Sequence, residues 1–460
     1  MKLALVILIV LISGCVSAPN ETQEIEGEAG AEAPENETVG ETVHSDDPLA
    51  SHKQTLRAGG IDCSFENTYD TRNSLVIDPS GRVLYVGVEG KGIFKSTDAG
   101  ATWKPSSNGI LAYPDNKDLT QKCYPDMAGM VMDPANSQRL LLAPADVSTG
   151  PIDWSYSETA GIWETLDGGK SWHQIVHGDM NAGGTGAIAL DPNDPMVIYY
   201  GVNSDPATFN EAPHKEVINE KGPMYRTADG GQTWAEVDSG MLPGLQATAI
   251  FVGESSQEIM LMTQSHSHVY HPDYIEEIFT YEQFGPMRSV DGGRTWTALA
   301  AKLPSPYQNV FDADVAEQNF DHVFVRPFLF GDKFPSDAEQ KSFVSMDRGD
   351  TFEQTPVFVW VGRYDPHDSE GDHIIGYSPW YADGDLVESY DAGRTWQPVA
   401  QPDEIDNTNV RISNIVWDPN DAGTIYMSGT DAHVWKSPDS GKTWQKVLDL
   451  EKINGALRQS

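Results

Sequence analysis

Apolar residues along this chain come in short runs broken by Asp-Pro turns. "AIALDPNDPMVIYYG" (187–201) and "NIVWDPNDAGTIYMSG" (414–429) each set two β-rich runs on either side of such a turn, and "LVIDPSGRVLYVG" (75–87) and "MVMDPANSQRLLLA" (130–143) are weaker copies. Runs of this length, bounded by turn residues, predict strand pairs. A third short run follows, as in "GIFKS", "GIWET" and "PMYRT". An octapeptide follows that, and its last aromatic residue opens a fourth strand.

The octapeptide occurs seven times: "STDAGATW" (96–103), "TLDGGKSW" (165–172), "TADGGQTW" (227–234), "SVDGGRTW" (289–296), "SMDRGDTF" (345–352), "SYDAGRTW" (389–396) and "SPDSGKTW" (437–444). Its aspartates, Asp98, Asp167, Asp229, Asp291, Asp347, Asp391 and Asp439, are 69, 62, 62, 56, 44 and 48 residues apart. Each interval is long enough for one four-stranded sheet with insertions of varying length. In a tight turn the Asp carboxylate accepts bonds from backbone N–H groups, the Gly two residues on takes φ > 0, and the Ser or Thr bonds locally. The terminal Trp or Phe supplies a large side chain for burial between neighbouring sheets. The aspartates are therefore expected to cap turns and to take no part in chemistry.

From Ser74 to Val447 this pattern resembles the Asp-box, or BNR-repeat, propellers, a group that includes sialidases, xyloglucan-degrading glycosidases, sortilin-type receptors and photosystem assembly-factor propellers. The resemblance implies an all-β fold: a single seven-bladed β-propeller over residues 53–460 with one Asp-box per blade. It says little about activity, because one architecture hosts unrelated functions. The sialidase branch requires three arginines, a Tyr–Glu pair and an Asp acid, and its Arg-Ile-Pro tripeptide does not occur here. The xyloglucanase branch works in a cleft between two propellers, and one is present.

The N-terminus carries a different pattern. Lys2 is followed by ten apolar residues, Leu3 to Ile12, and then Ser13, Gly14 and Cys15. Such a run is too short to span a bilayer and reads as an export signal over residues 1–14. "ISGC" resembles the lipobox of prokaryotic lipoproteins, which implies lipidation of Cys15 and residence on the outer face of the cytoplasmic membrane. Val16 to Ala50 holds ten acidic residues and no Lys or Arg, so residues 15–52 are expected to form a disordered tether.

The formal net charge of −39 makes nucleic acid a poor partner and suits a cation or a basic ligand. Cys63 and Cys123 remain for one disulfide in an exported protein, or stand as two buried thiols.

In such propellers the connections between second and third strands share one face, and here they are long only in blades two to five. Long loops tend to carry function, so the site is expected over those blades. Ligand-binding candidates there are Trp154, Tyr156, Asp205 and Tyr270, with Asp314 on the innermost strand of blade five. His266, His268 and His271 in "SHSHVYH" suit zinc, and the carboxylates suit calcium. Asp126, Asp146 and Asp312 are candidates for a carboxylate acid/base pair. No G-x-S-x-G, H-E-x-x-H or P-loop occurs. The expectation is a lipid-anchored surface module that binds a protein, peptide or glycan, or helps assembly. The alternative is a glycoside hydrolase or lyase acting on extracellular polysaccharide.

Overall fold

The computed structural model describes residues 74–88, 90–114, 120–145, 161–177, 184–202, 224–237, 245–265, 285–327, 340–379, 385–405, 411–430 and 433–449. The chain divides into two compact units, Met1–Asp47 and Pro48–Ser460, and every described residue belongs to the second.

That unit is an all-β, seven-bladed propeller. Each blade is four sequence-consecutive antiparallel strands, from Leu75–Ile77 through Lys104–Pro105 in blade one to Ile412–Asp418 through Gln445–Leu448 in blade seven. The innermost strands of blades two to six are Asp126–Asp133, Gly184–Leu190, Leu245–Val252, Val310–Val315 and Val361–Tyr364. Blades two and three also share one pairing, Thr185 with Ala145, which joins them into an eight-stranded sheet. Glycine permits this approach, since a Cβ on Gly129 would stand 1.9 Å from the Gly186 carbonyl oxygen.

The second strands read as uninterrupted apolar runs because both of their faces are buried. In blade two, Leu140 and Leu142 pack toward blade one, while Leu141 and Ala143 pack toward blade three. Among the described residues the same sorting places a hydrophobic cluster at each of the seven seams. Stability therefore lies between blades, not within them.

The seven octapeptides form one repeated turn. In blade seven the buried Ser437 hydroxyl donates to Asp439 Oδ1 (3.0 Å) and accepts from Gly441 N–H (2.8 Å). Asp439 also takes Thr443 N–H and the Thr443 hydroxyl, both at 2.8 Å. Hydroxyl and backbone N–H bonds of this kind hold the carboxyls of Asp167, Asp229 and Asp291 down at about 2. The sequence pattern led us to expect one left-handed residue per turn, and there are two. The residue before the Gly is left-handed as well: Ala99, Arg348, Ala392 and Ser440 have φ of 57, 59, 55 and 57°. Ser440 is exposed and its side chain makes no bond that Gly would lose. Ser440→Gly is expected to raise stability by about 0.5–1 kcal/mol, read as a higher urea midpoint at unchanged m.

Ring closure uses contacts also seen at other seams. Side chains in the first turn of one blade donate to carbonyls in the first turn of the next. Asn193 reaches Glu254 O (2.5 Å), Asn319 reaches Glu370 O (2.7 Å), and His367 Nε2 lies 2.8 Å from Asp418 O. Asn420 then bonds Pro79 O (2.9 Å), carrying the belt from blade seven to blade one. The octapeptide carbonyls repeat the logic. Tyr85 and Lys95 of blade one both bond Gly168 O of blade two, as Tyr426 and Lys436 of blade seven bond Ala99 O of blade one. Among the described residues no strand is exchanged across the closing seam; Leu75, Leu84, Val86, Tyr426, Val434 and Leu448 close it by packing.

Candidate functional site

Most of the sequence-derived candidates fall on the long connections. Asp146, Trp154, Tyr156, Asp205, His266, His268, His271 and Tyr270 lie outside the described residues, as do Cys15 and Cys63. Asp126 opens the innermost strand of blade two, opposite Ala145. Cys123 is buried and disulfide-bonded, with a partner outside the described residues. Among the described residues no group of three His, Cys, Asp or Glu side chains is placed to hold a metal. The acidic turn at 363–373 is internally bonded instead. Asp365 binds His367 N–H (2.8 Å) and His373 Nδ1 (2.9 Å), and Asp368 caps Asp372 and His373 N–H.

Asp312 and Asp314 are the candidates that the fold places in a cavity. The innermost strands of blades two to seven enclose an axial space of about 300 Å³, and both carboxylates line it with Thr248, Arg326, Arg363 and Trp360. Strand alternation faces both inward, as their spacing in "NVFDADV" suggested.

Asp312 is fully engaged. Arg363 of blade six grips it with two parallel bonds, Nη1 to Oδ2 and Nη2 to Oδ1, each 2.9 Å. Arg363 also donates to Asn414 of blade seven (3.3 Å) and to Gly362 O (2.8 Å), and Asn414 donates to Leu75 O of blade one (3.5 Å). This girdle runs from blade five round to blade one. A carboxylate forked by Arg is held in a fixed geometry.

Asp314 is different. One oxygen accepts Tyr364 N–H at 2.8 Å, the other has no hydrogen bond among the described residues, and the residue lines the cavity. Desolvation inside the ring pushes its carboxyl up to about 7, against the lowering effects of Arg363 and the Tyr364 N–H; Glu317 and Asp312 add to the rise. An unfolded Asp loses its proton near pH 3.9, whereas the folded protein keeps it to about 7. The folded state thus binds more protons across pH 4–7, and stability falls as pH rises through that window. Asp314→Asn keeps an acceptor for Tyr364 N–H. It is expected to leave stability unchanged at pH 4 and to raise it by about 1–3 kcal/mol at pH 8, below the full ~4 kcal/mol of a three-unit shift because the cavity admits water. Urea midpoints at both pH values check this, and an equal effect at each would contradict it.

At the end of the cavity where the second-to-third connections leave the sheets, two arginines gather in a way the linear sequence did not suggest. The buried Arg326 guanidinium lies 4.4 Å from the Phe311 ring and 4.2 Å from that of Trp360, and Arg411 lies 4.5 Å from Trp360. Such contacts fix the guanidinium planes. The usable signal was positional: Trp360 and Arg411 each stand just ahead of an innermost strand, and Arg326 near the end of a second strand.

Guanidinium groups near the mouth and the Asp314 carboxyl thus stand along one cavity. No family model matches the chain. It is 23% identical over 362 residues to a xyloglucanase of Paenibacillus sp., covering 69% of this chain and 31% of that one. It is 22% identical over 365 residues to xyloglucanase Xgh74A of Acetivibrio thermocellus, covering 71% and 39%. The chain thus spans about a third of the length of the relatives it matches. Among solved structures, the GH74 xyloglucanase of Xanthomonas campestris superposes with a TM-score of 0.56 at 14% identity, over 81% of this chain and 54% of that one, a likeness of fold.

Proposed function

We propose that this protein is a glycan-binding propeller of the Asp-box type, held at the outer face of the cytoplasmic membrane by lipid on Cys15 and directed at an extracellular polysaccharide of the β-glucan class. The kinship with xyloglucanases over about 70% of the chain supports the ligand class. The observation that carries binding over cleavage is the Asp312–Arg363 fork. Glycosidic hydrolysis uses two carboxyl groups across the bond, one as the acid and the other as base or nucleophile. The acids lining the cavity are Asp312 and Asp314, and the first is consumed by the clamp.

A second reading, hydrolysis, keeps one specific support: a carboxyl near pH 7 facing a cavity is what a general acid requires, and Asp314 has it. Its partner would then come from Asp126 or Asp146.

Titration of the purified protein with xyloglucan, followed by assay of new reducing ends, separates the two. Saturable binding without new ends supports the binder, and ends released at an Asp314-dependent rate support the hydrolase. Failure to bind any β-glucan would refute both. Anchoring has its own test: Cys15→Ser is expected to shift the protein from the membrane fraction to the soluble one or to leave it unprocessed. Normal cleavage with unchanged membrane retention would remove the lipid from the account.

A further inference from the structure

From the shape and chemistry of the axial cavity we infer that the propeller takes a glycan by its end: a terminal neutral sugar enters the cavity, and the open Asp314 oxygen accepts its hydroxyl hydrogens. This inference rests on the glycan-binding reading and narrows it from a chain lying across a face to a chain entering one.

Four observations carry it. The first is size. About 300 Å³ is at the lower limit of small-molecule sites, roughly 300–1,000 Å³, which fits a sugar unit and not a long stretch of polymer. The second is shape, since innermost strands from six blades stand around the space as its walls.

The third is polarity. A sugar hydroxyl is both donor and acceptor, and recognising it takes both kinds of group. Asp314 supplies the acceptor, and the Thr430 hydroxyl in the same lining, which accepts Arg411 N–H, has its own hydrogen to donate. The Asp312–Arg363–Asn414 girdle ties together blades five, six and seven on one side of the cavity, so less is left to order there on binding. The fourth is charge: a carboxylate in the cavity and a chain of net charge −39 disfavour uronates and sulfated sugars, so the occupant is neutral.

Asp314 faces Arg363, Asp312 and Glu317, which set how readily it ionises. Its acceptor strength is greatest when it is charged, so affinity is expected to rise with pH through neutrality.

The test uses xyloglucan before and after limited cleavage by an unrelated endo-glucanase, which multiplies chain ends at constant mass. Calorimetric binding capacity per gram is expected to grow in proportion to ends. Asp314→Asn is expected to bind roughly tenfold more weakly or worse, the loss of one charge-assisted hydrogen bond, and to lack the pH dependence of the unaltered protein between pH 6 and 8. Capacity that follows mass and not ends would overturn the inference while leaving glycan binding standing. Capacity that follows ends with Asp314→Asn unaffected would show that ends are read elsewhere and would also overturn it. Absence of binding in every form would remove the inference together with the reading beneath it. Should the variant fail to fold, the end-titration on the unaltered protein still decides.

Discussion

Trp172→Ala is expected to cost about 3–5 kcal/mol, the largest loss among the seven octapeptide aromatics. Trp172 is 4% exposed and packs in the cluster between blades one and two with Tyr85, Ile93, Leu140 and Trp163. Its indole N–H also crosses the seam to Ser106 O at 2.7 Å, whereas Trp103, Trp234, Trp296 and Trp396 bond a carbonyl of their own turn. Truncation leaves a cavity and removes a bond between blades. Trp444 makes the useful contrast. Like Trp172 it bonds a carbonyl of the preceding blade, Ala400 O at 2.7 Å, but it is more exposed and only packs against the edge of its cluster, so Trp444→Ala should cost clearly less. Equal denaturant midpoints for the two variants would contradict the view that burial at the seam, not the turn itself, sets the cost.

Arg363→Leu should be almost as damaging, at about 2–4 kcal/mol. Removing one member of an enclosed ion pair strands the other, at a typical 3–5 kcal/mol, and water in the cavity relieves part of that here. Both side chains are 18% exposed, too little for solvent to replace the fork fully. The bonds from Arg363 to Asn414 and to the Gly362 carbonyl go as well. Because the stranded Asp312 causes much of the loss, Asp312→Leu combined with Arg363→Leu is expected to be less destabilised than the sum of the single variants. A cycle of the four proteins by chemical denaturation measures this coupling, and strict additivity would show that the fork contributes nothing as a pair.

The octapeptides, the Asp-Pro turns and the apolar runs made blade number and strand order readable from the chain alone. These are local requirements: a left-handed Gly, a carboxylate to cap N–H groups and a strand buried on both faces each leave a mark within about ten residues. Even there, tertiary context added something. Arg348, Ala392 and Ser440 are left-handed without being glycine, held so by a repeated bonding pattern around them.

Asn193, His367 and Asn420, two residues after their Asp, looked like ordinary turn residues until the ring set the next blade's carbonyl within 2.5 to 2.9 Å. The candidate site was legible only as a pair of inward carboxylates. Asp312 and Asp314 have the same spacing, strand and side-chain type, yet one is clamped and the other open. Arg363 lies 51 residues from Asp312, and Arg411 stands beside Trp360 only because blade seven follows blade six round the axis. Pairings across that much chain depend on ring curvature and blade register. The burial that lifts Asp314 to about 7 is likewise a property of six strands enclosing one space, and no segment of sequence carries it.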